Sequence, residues 1–172
     1  MKQLGKDFFL QPTLQVSKEL IGKNISIKTL NGEHQGIITE TEAYFGDDPA
    51  SHAFCGLTKR NAPMFMAGGI AYVYIIYGIH NCLNFVCEKE NYPAAALIRG
   101  INIFDGKSIV KLNGPGKVCK FLGIDRNYNY KSLIDGSFIS LYENNTTIKI
   151  KTTPRIGINK NKDAPYRFVL DE

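Results

Sequence analysis

At 172 residues, 44% hydrophobic and 22% charged, the chain has the make-up of one soluble globular domain spanning 1–172, long enough to bury a core. Its four cysteines (Cys55, Cys82, Cys87 and Cys119) show no C-x-x-C spacing and no histidine pair stands at zinc spacing, so neither a metal site nor a disulfide framework nor any other cofactor is expected. The net charge of +5 mildly favours an anionic partner.

Residues 12–21 read as a short helix, with Pro12 in its first turn, Val16, Leu20 and Ile21 on one face and Gly22 as its stop. The first nine residues lack an apolar stretch of the kind a secretory signal needs, and the longest apolar run, 70–79, is too short and too rich in tyrosine to cross a bilayer. A cytoplasmic location is expected, associated with the nucleoid in a prokaryote, with no membrane partner. Residues 24–30 alternate as a strand and Asn31-Gly32 is a hairpin turn, returning the chain antiparallel into 36–45.

That second strand, Gly-Ile-Ile-Thr-Glu-Thr-Glu-Ala-Tyr-Phe, is the most informative stretch of the chain. Strict alternation places Ile38, Glu40, Glu42 and Tyr44 on one face and Ile37, Thr39, Thr41, Ala43 and Phe45 on the other. Two carboxylates and a phenol make a poor core face and a good site. At ~3.3 Å per residue Glu40 and Glu42 stand roughly 7 Å apart, close enough to perturb each other's ionisation. The plain alternative is an edge strand with a solvated face.

Asp47-Asp48-Pro49 then offers an N-cap with proline behind it, opening a short helix that carries Ser51 and His52. His52 so placed either stacks on a planar ligand or serves as a capped structural histidine. A polar loop follows over 57–65, then a tyrosine-rich strand over 70–76, a break at Tyr77-Gly78 and a return strand over 80–87. A turn centred near Gly78 makes Tyr74 and Asn84 near neighbours and leaves Tyr77 at a protruding tip, where an aromatic ring can wedge between base pairs. The alternative packs the tyrosines on the core.

Residues 94–101 are apolar on both faces except for Arg99, as in a central strand. A buried guanidinium needs a carboxylate, and Glu40 or Glu42 can supply it. Gly114-Pro115-Gly116-Lys117 opens a helix to Leu122; 138–142 and 146–152 read as a hairpin across Asn144-Asn145, and 166–170 as a closing strand. The sum is an α+β fold: a mainly antiparallel, curved sheet with peripheral helices and a protruding β-hairpin.

Taken in order, Glu40-Thr41-Glu42-Ala43-Tyr44, Asp48-Pro49-Ala50-Ser51-His52, Thr58-Lys59-Arg60-Asn61, Met64-Phe65, Tyr72-Val73-Tyr74-Ile75-Ile76-Tyr77-Gly78, Cys82-Leu83-Asn84, Leu97-Ile98-Arg99, Gly114-Pro115-Gly116-Lys117, Arg155-Ile156-Gly157 and Arg167-Phe168 resemble the alkyladenine (3-methyladenine) DNA glycosylase family. The ordered set covers nearly the whole chain and is specific where no single motif is. The resemblance implies a monofunctional, monomeric enzyme that flips a damaged purine out of double-stranded DNA and hydrolyses its N-glycosidic bond. It implies Glu42 as the base that activates water, with Arg99 and the backbone carbonyl of Ile156 positioning that water. It further implies Tyr44, His52 and Tyr74 as the stacking pocket, Tyr77 as the group filling the gap in the duplex, and Asn84 as the guard against guanine. Two departures stand out: Gly100 follows the arginine where alanine is common, and the lysine- and asparagine-rich run 159–165 replaces a longer segment. Competing classes on the same residues are a non-catalytic nucleic-acid-binding module and, more weakly, a nucleoside hydrolase.

Overall fold

The computed structural model describes residues 1–171. Two short helices, α1 (Lys6–Phe9) and α2 (Thr13–Glu19), lead into β1 (Asn24–Thr29) and the long β2 (Gly32–Phe45). Then come β3 (Ala71–Ile76), β4 (His80–Val86), β5 (Ala94–Phe104), β6 (Ile109–Asn113), α3 (Pro115–Leu122), β7 (Ile139–Tyr142), β8 (Lys149–Thr153) and β9 (Arg167–Asp171). All nine strands among the described residues join one antiparallel sheet ordered β3-β4-β5-β2-β1-β7, with β6 on β5 and β9 bridging β2 to β8. The expected α+β class is what the chain adopts, and no helix among the described residues is long and apolar enough to cross a membrane.

β2 is the spine of this sheet. One edge pairs with β5 along its length, while the other pairs with β1 over Gly32 to Ile37 and with β9 over Glu40 to Glu42. The main core lies against one side of the sheet, where Ile25, Ile27, Ile38, Ile98, Ile101 and Ile103 are buried with Phe9, Val16, Leu20 and Phe85. Each such side chain, fully buried, contributes roughly 1.5–3 kcal/mol. α2 packs here through Val16 and Leu20, the face expected of it.

Strict alternation along β2 does not hold. Ile38 pairs with Ile101 and Thr41 with Ile98, and the register shifts on both sides of Glu40. This bulge reverses the inside-outside parity. Ile38 therefore enters the core rather than sharing a face with Glu42, and Thr41 also points inward, its hydroxyl donating to the Ser17 carbonyl at 2.6 Å. Without the bulge, either Ile38 or Glu42 would sit on the wrong side. Gly100 lies opposite Glu40 at the bulge, where a Cβ would meet Thr39 Oγ1 at 2.6 Å and Glu40 Cβ at 3.0 Å. Glycine leaves room here for the Thr39 and Glu40 side chains.

Other expectations need correction. Residues 46–56 form successive turns, not a helix: Asp48 N–H donates to the Phe45 carbonyl, Ser51 N–H to that of Asp48, Phe54 N–H to that of Ser51 and Gly56 N–H to that of Ala53, each spanning three residues, with no i→i−4 bond among them. The two strands read as a hairpin across Asn144-Asn145 are not partners, since β7 pairs with β1 and β8 with β9. In the β1–β2 hairpin Thr29 pairs with Gly32, so Leu30 and Asn31 form the loop and Gly32 follows it. In the β3–β4 hairpin Tyr72 is opposite Asn84 and Tyr74 opposite Cys82, so Tyr74 and Asn84 are diagonal neighbours. α1 and the β5–β6 hairpin, turned at Asp105 and Gly106, carry too few periodic residues to be read from sequence.

Candidate active site

On the side of the sheet away from the main core lies a cavity of about 560 Å³. Its floor is the C-terminal half of β2 and the start of β5, its walls the β3–β4 hairpin and the turns around His52, and its rim Pro115 and residues 156–158. The sequence-derived candidates Glu42, Tyr44, His52, Tyr74, Tyr77, Asn84, Arg99 and Ile156 all line it. Residues from five separate parts of the chain thus meet in one place.

Glu42 is fully buried at the floor, and both its oxygens are held: Tyr44 OH donates to Oε2 and Ile156 N–H to Oε1, each at 2.8 Å. Arg99 Nε lies 3.5 Å from Glu42 Oε1 and donates to Glu40 Oε1 at 2.8 Å, so both carboxylates flank the guanidinium. Arg167 Nε binds the same Glu40 oxygen at 2.6 Å. Burial raises the Glu42 pKa above the usual carboxylate value; Arg99, the Ile156 amide and the Tyr44 hydroxyl pull it back only in part. Burial likewise works against the charge on Arg99, yet Glu42 and Glu40 together lift its pKa above the ordinary guanidinium value. Burial and the adjacent Glu42 push the Tyr44 phenol far up, so it acts as a donor.

The far wall is aromatic. His52 meets Tyr74 edge-on with ring centres 4.5 Å apart, and its Nδ1 lies 3.2 Å from the Tyr72 hydroxyl. Burial, followed by the nearby Arg60 charge, lowers the His52 pKa, so the imidazole is neutral at pH 7. Asn84 is buried beneath these rings, its Nδ2 donating to the Tyr72 and Cys82 carbonyls at 3.2 and 3.3 Å. Tyr77 is 86% exposed at the hairpin tip, and Tyr77 and Gly78 both take positive φ, 52° and 70°.

Sequence reasoning missed the group behind this wall. Arg155 and Asp48, 5% and 1% exposed, form a buried two-pronged ion pair through both guanidinium ends, and Arg155 also donates to the Ala43 carbonyl at 2.9 Å. The Arg155 guanidinium stacks on Tyr44 and Tyr166, 4.6 and 5.1 Å from the ring centres. Asn161, from the divergent 159–165 run, donates to Asp48 Oδ1 at 3.0 Å. Asp48, read as a helix cap, instead anchors the turns that carry His52 to the back of Tyr44. The one available signal was the pairing of charged positions inside quoted motifs. Arg60, Met64, Tyr72, Cys82 and Leu97 also line the cavity.

A carboxylate held out of water, ringed by aromatic surfaces and edged with cations, suits a flat base on an anionic backbone. The sequence model of the methylpurine-DNA glycosylase family matches residues 7–172. A protein of Ehrlichia chaffeensis is 47% identical to this chain over 174 residues, covering 98% of this chain and 93% of its own. Proteins of Sodalis glossinidius and Rickettsia felis are 44% and 45% identical, covering 96% and 98% of this chain and 95% and 93% of theirs. All three are provisionally named 3-methyladenine DNA glycosylases.

Proposed function

The chain belongs to the methylpurine-DNA glycosylase family, DNA-repair hydrolases that cleave N-glycosyl bonds, and from that premise we propose that residues 1–172 act as one glycosylase domain on alkylated or deaminated purines such as 3-methyladenine, hypoxanthine and ethenoadenine. The substrate is double-stranded DNA and the enzyme works as a monomer in the cytoplasm, at the nucleoid. The observation that carries the reading is Glu42: a fully buried carboxylate, both oxygens oriented, at the floor of an aromatic cavity.

The base leaves C1′ with the electrons of its glycosidic bond, and positive charge builds on the sugar. Glu42 stabilises that charge and takes a proton from the water that attacks C1′. Arg99 and the Ile156 carbonyl orient that water, the Ile156 amide being already committed to Glu42. Tyr44, His52 and Tyr74 stack on the extruded base, which contributes ~1–3 kcal/mol per base. Tyr77 fills the place the base has left. Release of free base from a duplex with one lesion tests the reading; binding without release would leave only a nucleic-acid-binding module.

Further outcomes are expected. Tyr77→Ala should weaken damaged-duplex binding several-fold with little change in thermal stability, because the ring is 86% exposed; a large drop in melting temperature would make it a packing residue instead. The rate of release should climb with pH as Glu42 ionises, with its midpoint above the ordinary carboxylate range. Tyr44→Phe deletes a donor to the charged form, so that midpoint should move higher still, read from single-turnover rates. Since the folded protein holds the Glu42 proton more tightly than the unfolded chain, the stability due to this group is present at low pH and lost as pH rises through the folded value. Asn84, fixed by two carbonyls below the stacking rings, is placed to meet the 2-amino group of guanine. Asn84→Ser should raise guanine release relative to hypoxanthine release, by roughly the factor of 10 that a ~1–3 kcal/mol clash implies; an unchanged ratio in a folded variant would leave Asn84 a purely structural role.

A further inference from the structure

The second carboxylate of β2, Glu40, has no part in the chemistry above, yet it sits in a chain of four charges running Arg167, Glu40, Arg99, Glu42. We infer that Glu40 is a positioning residue for the water-activating carboxylate: it claims the Nε of Arg99 and so keeps the guanidinium beside Glu42 without letting it close on Glu42 as a two-pronged pair. This inference rests on the reading of Glu42 as the base.

The argument is one of lone pairs. Glu42 Oε1 already accepts from the Ile156 amide and Oε2 from the Tyr44 hydroxyl, which leaves each oxygen one further acceptor site. A forked Arg99–Glu42 pair would take both and leave none for a water proton. In the structure the close bond is instead Arg99 Nε to Glu40 Oε1 at 2.8 Å, and Glu42 Oε1 stands at 3.5 Å, beyond a normal charge-assisted hydrogen bond. The terminal nitrogens of Arg99 make no hydrogen bond among the described residues, and the side chain lines the cavity that water and substrate would enter. Arg167 completes the clamp. It binds Glu40 Oε1 at 2.6 Å and Thr153 Oγ1 at 3.0 Å, pinning Glu40 from the β9 side. The bulge at Glu40 is what turns this carboxylate toward Arg99, while Glu42 keeps its place at the floor.

The groups that bear on Glu42 are Glu40 and Tyr44 on β2, Arg99 on β5, Cys82 on β4, whose thiol burial keeps neutral, and Arg167 on β9, opposite Glu42 in register. Arg155 lies beyond, on the far side of Tyr44. Only Glu40 repels a charge on Glu42. Removing its charge both ends that repulsion and frees Arg99 to close.

The test is a pH profile of single-turnover release for Glu40→Gln, beside wild type and Glu42→Gln. The acid limb should move to lower pH by about half a unit or more and the plateau rate should fall by about 10-fold, because a fully paired carboxylate is a weaker base. Binding of the damaged duplex should stay within about twofold. The double variant Glu40→Gln/Arg167→Gln, which removes a balanced pair, should show the same shift and covers the case in which the single variant folds poorly. An acid limb that stays in place in a folded variant would overturn the inference while Glu42 keeps its role. Full activity in Glu42→Gln would instead remove the reading beneath it.

Discussion

Glu42→Gln is expected to lower single-turnover release of hypoxanthine or ethenoadenine by ~10² or more while damaged duplex still binds. Glutamine keeps the size of the side chain and an oxygen for the Ile156 amide, so the cavity keeps its shape. What disappears, on the proposed mechanism, is the group that takes a proton from water and faces the charge developing on the sugar. Stability should not suffer, because burial already disfavours the Glu42 charge and Arg99 keeps its 2.8 Å bond to Glu40. The measurement is release from a duplex under enzyme excess, with binding measured on the same duplex. A near-normal rate would move the base role to Glu40 or elsewhere.

Asp48→Asn is expected to cost roughly 3–5 kcal/mol of stability, since it leaves the Arg155 guanidinium buried with no balancing charge. For a chain of this size that corresponds to a fall in melting temperature on the order of 10 °C. Asparagine can still accept from one end of the guanidinium, but it cannot neutralise it. Adding Arg155→Met should recover part of the loss, because it removes the guanidinium that Asp48→Asn leaves buried without a balancing charge. Burial by itself would raise the Asp48 pKa, but the hydrogen bonds from Arg155, Asn161 and the Ala50 amide outweigh it and hold it below the usual value. The stability it confers is therefore present above the ordinary carboxylate range and lost as pH falls through the folded value. Urea unfolding of the single and double variants at neutral pH measures both effects. A loss below ~1 kcal/mol would mean that the pair is solvated in solution. Because Arg155 also stacks on Tyr44, the single variant should weaken substrate binding as well.

Local chemistry was enough to mark several features in the sequence. Pro12 and Gly22 bracket α2, and its apolar spacing marks the buried face. Gly114-Pro115 opens α3, and the alternation of 70–76 and 80–87 around Tyr77-Gly78 marks a hairpin with an exposed ring at its tip. The ordered motifs also brought the cavity-lining residues into view together, because residue type and order survive without any knowledge of contacts. Other features depend on partners far along the chain. Strict alternation placed Ile38 beside Glu42, and only the pairing with β5 and β9, 59 to 127 positions away for the ion pairs of Glu40, creates the bulge that separates them. Asp48 reads as a cap because a cap is a local device. Its true partner, Arg155, is 107 residues distant and is chosen by burial, which no local pattern records. The strands β7 and β8 look like a hairpin because they are close in sequence, but each gains more by pairing with an open edge, β7 on β1 and β8 on β9. Short-range preference determines what each segment can be. Which face it turns inward, and which charge it meets there, is decided only when the sheet closes over a shared core.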